Sequence, residues 1–265
     1  MPTHKRALAT IGTGPMEPVL ALAAVTFRAY ADRHGYDLVI GDGESEGRPP
    51  SWGKVLLICD LLDRYEEVLW VDSDAIILDG RTDIADAVPA EAYLAVARPQ
   101  NPWPGGIRML NFGVFLIRGE CGRQLLRLVW NREQWIDHGT WEQRAVLDVL
   151  GFDEQGVVVT ESEWRTGVHW LPDEWNTLEW IDGLGRCRIR HYSARDNQFR
   201  SDRMKIDLAY TRRDPRAWLM DLQWRRSQFE YRKKRLVKLP VLREIAKVKQ
   251  VRRDQRRASR CKAVE

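Results

Sequence analysis

The feature that most constrains the fold is an apolar run that stops abruptly at two carboxylates, VLWVDSDAIIL at residues 68–78. Its four consecutive apolar residues predict a fully buried strand. Strands buried on both faces are typical of parallel sheets covered by helices, and such sheets bind ligands beyond the carboxyl ends of their strands. The pattern therefore predicts an α/β fold with Asp72 and Asp74 at its ligand-binding edge.

The residues around this run extend the α/β pattern. An apolar strand over 6–11 is followed by helical spacing over 17–34, with Gly35 in the position of a C-terminal cap. A second strand at 36–43 completes a β-α-β start, which favours a mainly parallel sheet. Further segments predict helices at 52–65, 120–133 and 140–150 and strands at 92–98, 111–118, 157–160 and 187–193.

The charge is segregated along the chain. The chain has 265 residues and a net charge of +4, yet residues 225–265 alone carry 16 Lys and Arg against 4 Asp and Glu. The residues before them are therefore acidic overall. The length fits one large α/β domain with an appendage. We expect a domain over residues 1–215 and a basic, mainly helical C-terminal extension over residues 216–265.

Targeting signals and the cysteine pattern bear on the cellular compartment of the protein. The first residues contain no apolar stretch typical of a signal peptide, and no run of about 18 apolar residues predicts a membrane span. The four cysteines, Cys59, Cys121, Cys187 and Cys261, form no CxxC pair, so the spacing indicates neither a zinc site nor a thioredoxin motif. We expect reduced thiols and a cytoplasmic protein.

Asp72 and Asp74 have the residue types of a cation site. Alternate residues of a strand point the same way, so two carboxylates separated by one residue can converge on one ion. Oxygen ligands suit Mg²⁺ or Mn²⁺, which often keep positions open for substrate phosphates. The alternative is that the two aspartates only start and cap a turn.

The segment WGKVLLICDLLDRYEEVLWVDSDAIIL, residues 52–78, resembles the equivalent stretch of retaining GT-A glycosyltransferases. The closest similarity is to the galactosyl-, mannosyl- and xylosyltransferases of glycosyltransferase family 34, and a more distant one is to family 8. The shared features are a Trp-x-Lys helix, an apolar strand containing Trp, and Asp-Ser-Asp-Ala. Looser similarities follow in NFGVFLIR at 111–118, WEQRAVLDVL at 141–150 and HYS at 191–193.

The resemblance implies a GT-A fold, a nucleotide-sugar donor, a divalent metal and retention of anomeric configuration. Asp74 would be the principal ligand of Mn²⁺ or Mg²⁺, Asp72 would bind the metal or the ribose, and His191 would complete the protein ligands. A UDP-sugar is favoured over a GDP-sugar, and the acceptor is a carbohydrate or a lipid-linked molecule. Without the resemblance, the sequence favours a structural role for His191.

The resemblance also implies catalytic contacts for four residues. Lys54 would contact the donor sugar or a phosphate, although a Lys at this position also fits a solvated surface. Asn111 would face the donor sugar, and its alternative is a strand edge or bulge. Gln143 would lie near the anomeric carbon. Glu142 replaces an Asp of the family, which leaves its role open.

Nucleotide contacts are expected from the end of the first strand and from the aspartate motif. Thr10, Ile11, Gly12 and Thr13 would meet the base and ribose, or else only form a glycine turn, since a lone GxG is weak evidence. Ser73, between the two aspartates, is counted with these contacts. Arg195 replaces the Gly and Lys that follow the His segment in the family, and we expect its guanidinium at the diphosphate.

The basic extension indicates a partner of its own. Basic residues alternate with Leu, Val and Ile between residues 232 and 260. This pattern fits an amphipathic segment that contacts an anionic membrane surface through residues 225–262. The enzyme would then be peripheral at the inner face of the membrane and modify an envelope component or another glycoconjugate. The alternatives are a contact with nucleic acid, which we do not favour, and a solvated tail.

Three other functions fit parts of the sequence. A haloacid-dehalogenase-like phosphatase places Asp-x-Asp after a strand, but a matching later Lys and acidic pair are missing. A nucleotidyltransferase normally has a basic, glycine-rich loop after the first strand, whereas GTGPMEP contains no basic residue. A non-catalytic sugar- or nucleic-acid-binding module is the third alternative, and turnover of a nucleotide-sugar separates it from an enzyme.

Overall fold

The computed structural model describes residues 5–97, 110–179 and 187–237, with side chains as far as Glu230. The chain divides into two compact units, residues 1–208 and 209–265. Among the described residues, no helix is both long enough and apolar enough to cross a membrane.

Nine strands and six α-helices make up the described fold. The strands are β1 Arg6–Ile11, β2 Asp37–Gly41, β3 Glu67–Val71, β4 Ala75–Ile77, β5 Leu94–Ala97, β6 Val114–Arg118, β7 Val168–Leu171, β8 Thr177–Leu178 and β9 Ile189–His191. The helices are α1 Glu17–His34, α2 Gly53–Leu61, α3 Gly119–Trp130, α4 Glu142–Val149, α5 Asn197–Thr211 and α6 Ala217–Val237.

Six strands form a central sheet in the order β2-β1-β3-β6-β5-β7. The pairs β1–β2, β1–β3 and β5–β7 are parallel, so the predicted α/β class with a mainly parallel sheet is confirmed. Strand β6 is antiparallel to both β3 and β5. This reversal brings the residues just before β6 beside the residues that follow β3.

The apolar run of β3 is buried on both faces because hydrophobic clusters cover both sides of the sheet. Leu69 and Val71 belong to the cluster that contains residues of α1. Val68 and Trp70 belong to the cluster that contains residues of α2, α3 and α4. The alternation of side chains along a strand therefore buries all four residues of the run, 68–71, before the chain leaves β3 at Asp72.

Helix α1 spans the predicted residues, and Gly35 follows it with a φ of 73° and donates its N–H to the carbonyl of Ala31. A glycine has no side chain to oppose this left-handed conformation. The predicted strand at 157–160 is wrong. Val157, Val158 and Val159 are half exposed or more. The run forms an isolated antiparallel bridge between Val158 and Phe152 and does not join either sheet.

A second, three-stranded sheet has the order β4-β9-β8. Strand β4 begins one residue after Asp74, and β9 ends at His191. Their antiparallel pairing places Ala75 opposite His191. The small sheet therefore connects the aspartate motif to a residue more than 100 positions later in the chain.

Candidate active site

Asp72, Ser73 and Asp74 form a turn between β3 and β4. The N–H of Ala75 donates to the carbonyl of Asp72 at 3.0 Å. The N–H of Asp72 donates to the carbonyl of Gly113 at 2.8 Å, and the Tyr192 N–H donates to the Asp74 carbonyl at 2.9 Å. The aspartates follow β3, as predicted, but the alternation of side chains along a strand does not apply to them, because the chain turns here to join the second sheet. The carboxylates converge through this turn.

His191 completes a cluster with the two aspartates. Its Nε2 lies 3.1 Å from Asp74 Oδ1 and 3.8 Å from Asp72 Oδ2. One ligand atom from each of the three residues lies within 4.8 Å of the others. The structure thus brings together the three residues that the sequence predicts as metal ligands.

The donor set fits a divalent cation of the Mn²⁺ or Mg²⁺ type. Two carboxylate oxygens are hard ligands, and an imidazole nitrogen is acceptable to Mn²⁺. Gly113 provides the room that the imidazole needs, since a Cβ at this position would lie 2.2 Å from His191 Cε1. These residues could hold the ion that the resemblance implies.

Positive groups surround the Asp74 carboxylate. Arg200 Nη2 lies 3.0 Å from Asp74 Oδ2, whereas His191 contacts the other oxygen, Oδ1. Burial by itself raises the pKa of Asp74, but His191 and Arg200 outweigh burial and hold the pKa below its usual value. Burial lowers the pKa of His191, but the negative charge of Asp74 outweighs it, so the His191 pKa is raised. The two shifts favour an ionised Asp74 and a protonated His191, and a bound cation would displace the His191 proton.

Lys54 is buried, so its interpretation as a solvated surface residue is wrong. Its Nζ lies 2.9 Å from Asp72 Oδ1 and 2.9 Å from Glu142 Oε1, and it donates to the carbonyl of Phe112 at 3.1 Å. Burial by itself lowers the pKa of Lys54, but the carboxylates of Asp72 and Glu142 outweigh it and raise the pKa. The ammonium group therefore stays charged and anchors the Asp72 side chain.

Glu142 and Gln143 begin α4 and reach the same region through different contacts. Burial raises the pKa of Glu142, and the nearby Lys54 counteracts the rise only in part. Gln143 Oε1 accepts the backbone N–H of Phe112 at 3.0 Å. The structure thus places both residues beside the segment that precedes β6, next to the metal-ligand cluster.

Asn111 is connected to His191 through the side-chain amide of a second asparagine, Asn176. Its Oδ1 accepts hydrogen bonds from the Gly113 N–H at 3.1 Å and from Asn176 Nδ2 at 2.8 Å. Asn176 Oδ1 lies 3.1 Å from His191 Nδ1. The sequence did not single out Asn176, because an Asn between a turn and a short strand has no distinguishing pattern.

The end of β1 lies against the aspartate turn. Thr10 is fully buried and Ile11 is the last residue of β1. A Cβ on Gly12 would lie 3.0 Å from Ser73 Cβ, so the backbone after β1 passes close to the motif. Thr13 is exposed beyond it. The four residues predicted to meet the nucleotide therefore adjoin the candidate metal site.

Arg195 and Arg200 each contact a carboxylate, and only Arg195 was singled out from the sequence. Arg195 donates from Nε and Nη2 to Glu179 Oε2 at 3.1 and 3.0 Å. Arg200 contacts Asp74, and its Nε donates to the Tyr192 carbonyl at 3.2 Å. Sequence reasoning missed Arg200, because an arginine in the first turns of a charged helix gives no signal beyond a solvated face.

Comparisons with known proteins give a matching family and a matching fold. The profile of the galactosyl transferase GMA12/MNN10 family matches residues 21–98, a range that includes Lys54, Asp72 and Asp74. The predicted resemblance to this family is thereby confirmed over that part of the chain. No curated protein sequence matches the chain.

Solved structures show the same fold. A glycosyltransferase involved in the glycosylation of the major capsid of PBCV-1 has a TM-score of 0.57 at 15% identity, over 75% of this chain and 99% of that chain. The bifunctional glycosyltransferase WbbM in its apo form has a TM-score of 0.52 at 11% identity, over 82% of this chain and 52% of that one. The fold is that of GT-A glycosyltransferases, and together with the family match it supports glycosyltransferase activity.

Proposed function

We propose that the chain transfers a sugar from a nucleotide-sugar to an acceptor hydroxyl in a reaction that depends on a divalent cation. The observation that carries this proposal is the convergence of Asp72, Asp74 and His191, with ligand atoms within 4.8 Å of one another. These residues come from two distant parts of the chain and meet where β3 ends. A bound Mn²⁺ or Mg²⁺ would stabilise the negative charge that develops on the diphosphate leaving group.

The residues around the metal-ligand cluster position its side chains and offer positive charge to the phosphates. Lys54 holds one oxygen of Asp72 and leaves the other, Oδ2, on the side of His191. Arg200 lies beside Asp74, and Arg195 precedes it in the chain. Both offer guanidinium groups, which suit phosphate oxygens. In this proposal Thr10 to Thr13 and Ser73 receive the nucleoside, because the end of β1 passes beside the aspartate turn.

The donor, the sugar and the stereochemistry follow from the family resemblance. We propose a UDP-sugar carrying a hexosyl or pentosyl unit, with a GDP-sugar as the alternative, and transfer with retention. The acceptor hydroxyl would attack on the face that the diphosphate leaves, and its proton would pass to the leaving phosphate. Asn111 and Gln143 would line the donor sugar, and the transition state would resemble an oxocarbenium ion. An inverted product anomer in NMR spectra would contradict retention.

The first experiment is nucleoside-diphosphate release from a panel of UDP- and GDP-sugars, with and without Mn²⁺. The wild type is compared with Asp74→Asn, which preserves shape but removes the charge. Asp60→Asn is the matched control, because Asp60 is exposed and forms only a surface ion pair with Arg64. We expect release from one donor, dependent on Mn²⁺, retained by Asp60→Asn and reduced at least 100-fold in Asp74→Asn, the scale of a lost electrostatic contact.

A different result would separate the alternatives. Release that needs no divalent cation and survives in Asp74→Asn would contradict the proposed site. Binding of a nucleotide-sugar by calorimetry, with no turnover in the presence of an acceptor library, would favour a non-catalytic module.

We further propose that the second unit attaches the enzyme to the inner face of an anionic membrane, where a lipid-linked acceptor would be reached. Helix α6 exposes Trp218, Leu222 and Phe229, each more than half exposed. Their spacing of four and seven residues puts them on one face of a helix. The sequence continues from this helix with the predicted basic residues, so aromatic and cationic groups combine as in interfacial segments.

Sedimentation with vesicles tests this attachment. We expect the full chain to pellet with phosphatidylglycerol-containing vesicles and not with pure phosphatidylcholine. Replacing Trp218, Leu222 and Phe229 together by Ser should reduce pelleting about 10-fold or more, as loss of buried apolar area predicts. Replacing the exposed Val157, Val158 and Val159 by Ser is the matched control. Equal pelleting of both variants, or preferential binding to RNA, would contradict the proposal.

A further inference from the structure

We infer that Asn176 is a positioning residue that fixes which nitrogen of His191 faces the aspartates, through a relay of amides anchored on the backbone N–H of Gly113. The inference rests on the proposed function, because it concerns the ligand geometry of the same site. Asn176 is fully buried and belongs to none of the motifs that carry the family resemblance.

The relay begins at a group whose polarity cannot change. The backbone N–H of Gly113 is a donor and nothing else. It lies 3.1 Å from the side-chain amide of Asn111, so the atom of Asn111 that faces it must be the oxygen. This contact removes the usual ambiguity between the oxygen and nitrogen of an Asn amide.

The same oxygen then orients the second amide. Asn111 Oδ1 also lies 2.8 Å from the side-chain amide of Asn176. Two oxygens at this distance would repel, so the atom of Asn176 that faces Asn111 must be the Nδ2 donor. The Asn176 Nδ2 is also 3.3 Å from the backbone carbonyl of Asn111, a second acceptor that favours the same orientation.

The orientation of Asn176 decides the state of the His191 ring. With Nδ2 directed at Asn111, Asn176 presents Oδ1 to His191 Nδ1 at 3.1 Å. An oxygen acceptor requires a proton on Nδ1. A metal-bound imidazole is neutral and uses its bare nitrogen. With a proton fixed on Nδ1, the ring would bind the ion through Nε2, which faces Asp74 and Asp72, and any proton on Nε2 would be released on binding.

Two features of the fold make the relay rigid. Asn176 immediately precedes β8, and Leu178 of β8 pairs with His191 of β9, so acceptor and ring are held by the same small sheet. Gly113 has no side chain, and a Cβ there would lie 2.8 Å from His191 Nδ1 and 2.9 Å from Asn111 Oδ1. Mutating a hydrogen-bond partner of a metal-bound histidine typically lowers metal affinity by about 10- to 100-fold.

The test compares Asn176→Leu, which removes the acceptor, with Asn176→Asp, which keeps an oxygen for the Nδ1 proton. The first measurement is Mn²⁺ affinity, from the electron paramagnetic resonance signal of free Mn²⁺. The second is the Nδ1–H signal of His191 in protein with ¹⁵N-labelled histidine. Because the chain has five histidines, the signal is assigned by its loss in His191→Gln. Both readouts are independent of turnover.

We expect Asn176→Leu to lose the Nδ1–H signal and to bind Mn²⁺ about 10- to 100-fold more weakly. Asn176→Asp should keep the signal and bind Mn²⁺ more tightly than Asn176→Leu, because an oxygen still faces His191 Nδ1 although the donor to Asn111 is lost. Equal weakening in both variants would show a merely structural role and overturn the inference, as would wild-type affinity in Asn176→Leu.

Failure of the proposed function gives a different pattern. A wild type that binds no Mn²⁺ but shows the Nδ1–H signal would overturn the metal site and leave the hydrogen-bond relay in place. A wild type that binds Mn²⁺ without an Nδ1–H signal would overturn the relay alone.

Discussion

Lys54 and Glu142 form a buried ion pair directly behind the candidate metal ligand Asp72. The Nζ–Oε1 distance is 2.9 Å, and the two side chains are 6% and 5% exposed. Lys54 also contacts Asp72 at 2.9 Å. The one ammonium group thus contacts two carboxylates, and its removal would leave negative charge uncompensated in the interior.

We expect Lys54→Met to lower the free energy of unfolding by about 3–5 kcal/mol, the usual cost of breaking a buried pair on one side. The double variant Lys54→Met with Glu142→Leu should recover a large part of that loss, because both buried charges are gone. Denaturation with urea measures both values. Arg64→Met is the control, since its surface pair with Asp60 should contribute about 1 kcal/mol or less. Equal losses in Lys54→Met and Arg64→Met would contradict this interpretation.

The second prediction concerns the space that Gly113 leaves for the His191 ring. A Cβ there would lie 2.2 Å from His191 Cε1, so Gly113→Ala must displace the imidazole or the backbone. We expect a loss of about 1–3 kcal/mol in unfolding free energy, as for other overpacked sites. Metal affinity should fall about 10-fold or more, because the ligand ring moves. Mn²⁺ titration and denaturation check the two effects.

Gly139→Ala is the matched control for Gly113→Ala. No atom lies within 4 Å of a Cβ built at Gly139, and its backbone needs no left-handed conformation. It should leave both metal affinity and stability close to wild type. A Gly113→Ala protein that behaves like Gly139→Ala would show that the imidazole is not held against residue 113.

The fold class was predictable because its signals are local. The apolar run of β3 and the helical spacing of α1 report burial directly, and each corresponds to an element of the structure. The valine run at 157–160 has the same composition as a strand but forms only an isolated bridge with Phe152 in the described structure, and composition alone cannot reveal how far pairing extends. The reversal of β6 was likewise invisible, because the direction of a strand depends on the connections before it.

The candidate site was predictable only where a motif marks it. Asp72 and Asp74 are separated by one residue in the sequence, and the family resemblance added His191. Asn176 and Arg200 reach the cluster through β8 and α5. Their roles depend on tertiary contacts between distant segments, and neither residue type nor spacing records such contacts.

Metal binding should appear as thermal stabilisation. At a Mn²⁺ concentration about 100 times the Kd, binding adds about 2.7 kcal/mol to the free energy of unfolding. For a chain of this size that corresponds to a rise of roughly 5–10 °C in Tm. We expect the rise in the wild type and in Asp60→Asn, reversed by EDTA, and absent in Asp74→Asn. A rise of equal size in Asp74→Asn would indicate that Mn²⁺ binds elsewhere.

The opposite end of β1 holds a separate buried network around Asp83. Arg6 donates to Asp83 Oδ2, and the hydroxyls of Tyr36 and Tyr30 donate to Oδ1 at 2.8 and 3.2 Å. Burial by itself raises the pKa of Asp83, but Arg6, the N–H of Ala85 and Tyr36 outweigh it and lower the pKa below its ordinary value. The ionised carboxylate therefore stabilises the fold.

The sign of this shift fixes a pH dependence. Because the folded pKa of Asp83 lies below the unfolded value of about 3.9, its contribution is complete above that value and is lost as the pH falls through the folded pKa. Asp83→Asn should therefore be less stable than the wild type at pH 7, and the difference should shrink from about pH 4 downward. Urea denaturation at pH 7, 5, 4 and 3 measures it, with Asp60→Asn as the exposed control. A constant difference between wild type and Asp83→Asn at every pH would mean that the carboxylate acts through shape and hydrogen bonding, and not through its charge.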